Sequence, residues 1–387
     1  MTRLVVAALA LAACSRGGTR RTVPAENVVT GDDAASRRAR LFAELQDDIL
    51  TSYDRDEPPD LDTGMIDPKV GTARIGAGPG DVYLAGDLAR APSRWPLEVE
   101  RSTSTEVRSK RLEIQLAADL TAAWMSDEVS WRIEMCGRTA LIPLRITALY
   151  AHDGDRWVPV FEHLSFGWAP TPLDSPLPKA IKTEVVSGDL RDELSGVLGR
   201  GLLRVPHDPV VVAQDPSDLV LGPDVNDEWH GPAVMDARVP AGRHEDRRVG
   251  TVGRTPADAT IAYWVGNYIA DVPARPGVSA GKVRMRVTHV FEKRALARDA
   301  TSRSCAKDSA TRKAPADCRW LLVQSHMSQP ISDEELTTRV FGTALLSVKP
   351  LQLDCSERAR ATAAPAATVP AAAARPGTPT PPAARIP

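Results

Sequence analysis

Two phrases of this sequence place a base beside a hydroxyl. RWVPVFEHLSFG spans Arg156 to Gly167, and RWLLVQSHMSQP spans Arg319 to Pro330. Both contain Trp-x-x-Val-x-x-His-x-Ser, so His163 and Ser165 recur as His326 and Ser328. An imidazole within reach of a hydroxyl can act as a general base or activate a nucleophile. Such a pair ordinarily needs a third group to orient the imidazole. Neither phrase supplies an acid at a telling spacing. Alternate residues of a strand share a face. Trp157, Pro159, Phe161, His163 and Ser165 are therefore expected to point one way, as are Trp320, Leu322, Gln324, His326 and Ser328. The structural role is the expectation: tryptophan anchors a core, and His/Ser form a hydrogen-bonded pair that fixes the strand end.

Other residue types offer less. Asp81, Asp87, Asp127 and Glu134 in the first half, and Asp227, Asp236 and Asp271 in the second, are expected as solvated charge. The seven histidines lack His-Glu-x-x-His or other ligand spacing, so neither a metal nor a cofactor is expected. GAGPGD from Gly76 does not lead into a Lys-Ser/Thr helix start and reads as a turn. Cys305 and Cys318 flank KDSATRKAPAD and are expected to form a local disulfide. Cys136 and Cys355 pair or stay separate.

The elements that position these residues also occur twice. Ile75-Gly76 followed by Asp81-Val82-Tyr83 is echoed by Leu221-Gly222 and Asp227-Glu228-Trp229. LTAAWMSDEVSW, from Leu120, is echoed by ATIAYWVGNYIA, from Ala259, which matches Trp124 to Trp264. The closing phrases match Trp157 to Trp320. Alternation in SKRLEIQL and KVRMRVTHVFEK, with the long apolar strand TALIPLRITALY, predicts a β-meander in each copy. Leu41, Leu45 and Ile49 predict an amphipathic helix over 35–53, and Leu190, Leu194, Val197 and Leu198 another over 188–205. Ser332 and Glu335 form a capping box ahead of a third helix.

A helical opening and a curved antiparallel meander closing on Trp…His-x-Ser resemble the SnoaL-like branch of the nuclear-transport-factor-2-like superfamily. The likeness rests on Ile75-Gly76, Asp81-x-Tyr83, Ala122-Ala123-Trp124, Asp153-Gly154-Asp155-Arg156-Trp157 and His163-x-Ser165. In the second copy it rests on Leu221-Gly222, Trp229-x-Gly231, Ala262-Tyr263-Trp264, Arg319-Trp320 and His326-x-Ser328. It implies two tandem cone-shaped α+β domains, each a curved antiparallel sheet wrapped on N-terminal helices. Enzymes of the superfamily use an acid inside the cone, and its cones often pair sheet to sheet. The implied domains run over 37–175 and 185–355. Tyr83, Trp124, Trp157, Trp229, Trp264 and Trp320 become landmarks of a pocket or of the core.

The ends of the chain carry a different signal. MTRLVVAALALAACSRGG has a basic n-region at Arg3 and an apolar run too short to span a bilayer. Leu11-Ala12-Ala13-Cys14 looks like the lipobox of bacterial lipoproteins, which implies a signal peptide over 1–13 and lipid on Cys14. Ser15 follows, so outer-membrane delivery is expected, with membrane contact through the lipid of an envelope protein. Residues 14–36 read as the lipidated Cys and a flexible tether, and the Ala/Pro-rich tail 356–387 as disordered. Net charge is −2, and no folded stretch is strongly basic, so no nucleic-acid partner is expected.

Three functions remain open from sequence. One is a binding or protein-interaction module for an unknown small molecule or envelope protein. The second is a small-molecule isomerase, cyclase or dehydratase using one cone. In the third, the repeat is a structural pseudo-dimer, its domains paired sheet to sheet.

Overall fold

The computed structural model describes residues 34–53, 73–84, 104–135, 138–170, 181, 184–185, 188–201, 215–252, 259–274, 276–295, 305 and 318–341. Residues 1–33, with Cys14 and most of the expected tether, Asp87, Cys136, Cys355 and the Ala/Pro-rich tail lie outside these residues, while the last residues of the expected tether, 34–36, are helical and open the first helix. The chain is α+β, with two mixed sheets and few helices.

Helix α1 (Ala34–Thr51) comes first. Seven strands of the first half follow: β1 (Ala73–Ile75), β2 (Val82–Leu84), β3 (Ser104–Ser109), β4 (Glu113–Leu116), β5 (Ala122–Met135), β6 (Arg138–His152) and β7 (Trp157–Ser165). The second half opens with β8 (Glu184–Val185) and α2 (Gly188–Gly201). It continues with β9 (Leu219–Leu221), β10 (Glu228–His230), a short 3-10 helix at Gly231–Asp236, β11 (Gly242–Val252), β12 (Ile261–Val272), β13 (Gly281–Ala295) and β14 (Cys318–Ser328). Helix α3 (Asp333–Phe341) follows, with the Ser332 hydroxyl accepting the Glu335 amide at 3.2 Å.

The first sheet runs β2-β1-β7-β6-β5-β3, with β4 also on β5, and the second runs β10-β9-β14-β13-β12-β11-β8. The shared order is built on matched registers. Ile75 lies against Val82 and His163, as Leu221 lies against Glu228 and His326. Both sheets depart from pure antiparallel pairing, because β1 joins β7, and β9 joins β14, in parallel. Both also carry an irregularity at one equivalent place, between Leu149 and Tyr150 in β6 and between Val290 and Phe291 in β13.

These irregularities overturn the single-face expectation for the closing phrases. Leu149 pairs with Phe161 but Tyr150 with Pro159, so Val160 is an extra residue. Val323 is extra in the same way. One inserted residue reverses the alternation. Trp157 consequently packs with α1 while Phe161 faces the other sheet, and Trp320 and Leu322 likewise part from Gln324, His326 and Ser328.

Three clusters of buried apolar residues result. Leu41, Leu45 and Ile49 of α1 meet Met125, Val129, Trp131 and Leu144 on the helix side of the first sheet. Leu190, Leu194, Val197 and Leu198 of α2 meet Trp264, Tyr268, Met285 and Phe291 on the second. The third draws on both sheets: Ile75, Trp124, Leu149 and Phe161 lie with Tyr263, Val265, Val290 and Val323. Each fully buried Leu, Val or Phe contributes roughly 1.5–3 kcal/mol of hydrophobic stabilisation.

Trp124 and Trp264 therefore do not correspond. Trp124 pairs with Leu149 and Tyr263 with Val290, the residues just before the two irregularities. The counterpart of Trp124 is Tyr263, and both lie between the sheets. Trp264 is one position on, and that single step turns it to the helix side.

Helix α3 follows the second sheet yet packs on the first core. Ile331 and Leu336 are buried among the first cluster, the Ile331 amide donates to the Ala77 carbonyl at 2.8 Å, and Arg339 lies over the Trp168 ring at 4.7 Å.

Candidate functional site

His163 and His326 stand against each other between the two sheets. Their rings stack with centroids 3.9 Å apart and planes 22° from parallel. Each is wholly buried. The hydrogen bonds run across the sheets and not along the strands. His163 Nε2 is 2.7 Å from the Ser328 hydroxyl, and its Nδ1 is 3.1 Å from Thr288. His326 Nε2 is 2.8 Å from the Ser165 hydroxyl, and its Nδ1 is 2.9 Å from Thr147. Thr147 lies opposite His163 in register, and Thr288 opposite His326. The arrangement is reciprocal: each half offers a histidine and takes one.

Burial holds both imidazoles neutral, with the charges of neighbouring arginines adding to the effect. His163 is pushed down to about 3, and His326 well below its ordinary value. A neutral imidazole has one donor and one acceptor nitrogen. Two flanking hydroxyls, each able to do either, satisfy it completely.

Arg145 and Arg286 extend the same pattern, two residues before Thr147 and Thr288. Arg145 donates to the carbonyls of Gly222 at 2.8 Å and Asp224 at 3.0 Å. Arg286 donates to the Pro79 carbonyl at 2.8 Å and to Asn267 Oδ1 at 2.9 Å. Each arginine thus reaches the Gly/Asp turn of the opposite half. Asp81 ties off one turn by accepting from the Gly78 amide at 2.8 Å, and Asp227 the other by accepting from Asp224. Burial lowers Arg145 to about 10, opposed by the charges of Glu228, Asp227 and Asp224, so it stays charged at neutral pH. Sequence reasoning passed over both arginines. Their signal was present: Arg-x-Thr recurs in the two corresponding strands, as Arg145-Ile146-Thr147 and Arg286-Val287-Thr288.

The remaining landmarks stand apart from this centre. The Trp157 indole donates to the Leu41 carbonyl at 3.1 Å, tying β7 to α1. Trp320 lies in the second core and Trp229 packs at its margin. Tyr83 is half-buried on β2, at the register position of Trp229 on β10. Cys305 and Cys318 are disulfide-bonded.

No family model matches the chain, and no curated protein matches it. Among solved structures, a nuclear-transport-factor-2-like family protein from Streptomyces avermitilis aligns at 12% identity and a TM-score of 0.29. The alignment covers 34% of this chain and 99% of that one. The CamKII hub homology domain of Chlamydamonas reinhardtii aligns at 17% identity and a TM-score of 0.23, covering 35% and 98%. An Ntf2-like protein involved in plasmid conjugation aligns at 8% identity and a TM-score of 0.20, covering 59% and 76%. Similarities this slight leave the fold to rest on its own strand order.

Among the acids, Asp127 departs from expectation. It is 3% exposed on the helix side of β5, and its Oδ1 accepts the Arg111 amide at 3.1 Å. Burial raises its pKa, and hydrogen bonds from Ser109, the Arg111 and Lys110 amides and Tyr53 oppose the rise. The reason is positional: Asp127 shares the face of Met125, Val129 and Trp131, which the first core covers. Asp271 is solvent-facing, paired with Lys282 at 2.7 Å. Asp236 is solvent-exposed, as expected, and the Glu134 side chain lies outside the described ones.

A second polar group lies on the helix side of the second sheet. His289 is fully buried, with Nδ1 3.0 Å from the Ser325 hydroxyl and its ring 5.4 Å from that of His244. Burial drives His289 well below its ordinary value, with His244 and His163 contributing.

Proposed function

We infer that this chain is a lipid-anchored envelope protein with two nuclear-transport-factor-2-like halves closed on each other sheet to sheet. It acts as a binding or interaction module. The observation that carries this reading is the reciprocal burial of His163 with Ser328 and His326 with Ser165. Groups that satisfy one another at the centre of an apolar contact are not presented to a dissolved substrate. The anchor rests on Leu11-Ala12-Ala13-Cys14 after a short apolar run, and one lipidated residue with several acyl chains exceeds the two-signal requirement for stable anchoring.

The test is unfolding of the mature chain by denaturant. His163→Ala and Ser328→Ala should each lower the midpoint, since each leaves a buried polar group without its partner. A His163→Ala protein as stable as its parent would return the His/Ser phrases to a catalytic role. For the anchor, Cys14→Ser should move the protein from the membrane pellet to the soluble fraction and abolish incorporation of labelled palmitate. Unchanged sedimentation and labelling would remove the lipoprotein reading.

One observation favours the isomerase, cyclase or dehydratase alternative: Asp127, a buried acid with a raised pKa on the helix side of the first sheet. Groups of this kind cluster at active sites. That reading expects Asp127→Asn to remove a turnover found by substrate screening while leaving the unfolding midpoint near the parent's.

A further inference from the structure

The contacts between the halves fall into two kinds. At the centre, four polar groups of each half have a counterpart of the same chemistry in the other: His163 and His326, Ser165 and Ser328, Thr147 and Thr288, Arg145 and Arg286. Such a face is complementary to itself. Two first halves laid together would offer His163 to a second Ser165 and a second Thr147. Arg145 would then meet the turn at Gly76 in place of the turn at Gly222.

The rim has no such counterparts. Glu292 accepts the Ala118 amide at 3.1 Å, and its register equivalent in the first half is Ala151. Gln324 donates to the Met125 carbonyl at 3.0 Å, and its equivalent is Phe161. Arg111 of the first half pairs with Glu228 of the second, whose equivalent is Val82. Glu292 and Gln324 take backbone partners, which a second half also offers, whereas the Arg111–Glu228 ion pair exists only when a first half meets a second half. The Thr260–Asp119 contact is set aside, because Thr121 occupies the equivalent of Thr260.

We propose that this rim decides which half pairs with which, and that a second pairing is open to the chain. In it, two copies form a twofold dimer with first half on first half and second half on second half. The proposal rests on the sheet-to-sheet reading above. Closed twofold contacts are isologous, and a self-complementary face is what they require. Specificity then lies in contacts that one pairing makes and the other lacks.

The test uses the full mature chain, unfolded and refolded over a range of concentrations, with light scattering for mass. The parent should refold as a monomer throughout. Arg111→Glu sets like charges against Glu228 in the monomer, whereas in the dimer it faces Val82. It should raise the dimer share by roughly tenfold, since like charges brought together suppress the pairing they belong to. Adding Glu228→Arg restores the pair and should restore the monomer. Arg111 is about half exposed, so Arg111→Glu burdens no core. Cross-linking of a refolded mixture of ¹⁴N and ¹⁵N chains identifies the pairing. Mixed-isotope links should join first half to first half. A variant that stays monomeric, or dimers linking first halves to second halves, would overturn the proposal. If His163→Ala leaves stability unchanged, the sheet-to-sheet reading itself fails, and that result is separate from either of these.

Discussion

At the scale of single residues, the central question is what a buried histidine contributes. Removing the His163 side chain leaves the Ser328 and Thr288 hydroxyls without it, and an unsatisfied buried polar group costs about 1–3 kcal/mol. His163→Ala should therefore destabilise by at least that amount, with a cavity term added. Ser328→Ala alone should cost less. The double variant should cost less than the sum, because the two share one hydrogen bond. A double-mutant cycle in urea measures the coupling, and strict additivity would contradict the geometry.

The same burial fixes a pH dependence. His163, His289 and His326 have folded pKa values below the ordinary value, with desolvation the first cause in each. As pH falls below about 6.5, the unfolded chain takes up protons that the folded chain refuses. Stability is thus fully present above that pH and declines toward the folded value, about 3 for His163. Each histidine contributes about 1.4 kcal/mol per pH unit. Asp218, raised to about 7 chiefly by burial, works in the opposite direction and offsets part of the slope. The melting temperature should drop between pH 6.5 and 5, and His163→Gln should flatten the fall. A profile level across that range would show that these imidazoles meet water.

At the scale of elements, most of the architecture was legible. Leu41, Leu45 and Ile49 gave α1, alternation gave the meanders, and Ser332 with Glu335 marked the start of α3. The parity of the closing strands was not legible. An extra residue such as Val160 leaves no mark in composition, and its effect depends on which partner residue is skipped. The slip between Trp124 and Trp264 has the same origin, since matching by residue type ignores which face each one serves. The candidate site was half legible. Both histidines and both serines could be named, but their partners lie in the other copy, and a single strand cannot show what covers it.

The placement of α3 makes a prediction at this scale. Deleting residues 331–387 should lower the hydrogen-exchange protection of β5 and β6 more than that of β12 and β13, because Ile331 and Leu336 complete the first core. Equal loss in both halves would mean that the helix acts on the whole interface.

At the scale of the whole molecule, two halves with one strand order make a single contact whose centre is symmetric and whose rim is not. Opening that contact strands two arginines and two histidines together, so unfolding should be one cooperative transition. Tryptophan fluorescence and far-ultraviolet circular dichroism should give the same midpoint. The Cys305–Cys318 link closes a short loop in the second half and should add up to about 3 kcal/mol to that transition. Reduction should move both probes equally. A second-half transition appearing alone would show that the halves are independent.

The position of α3 also sets a schedule. The first half leaves the ribosome long before Leu336 does, with about 170 residues between Trp168 and the helix that covers its core. At common synthesis rates that interval is on the order of ten seconds or more. Through it, the newborn first half lacks both the helix for one side of its sheet and the partner sheet for the other. The portion made first is finished last, and whatever escorts the nascent chain must guard two unfinished surfaces at once.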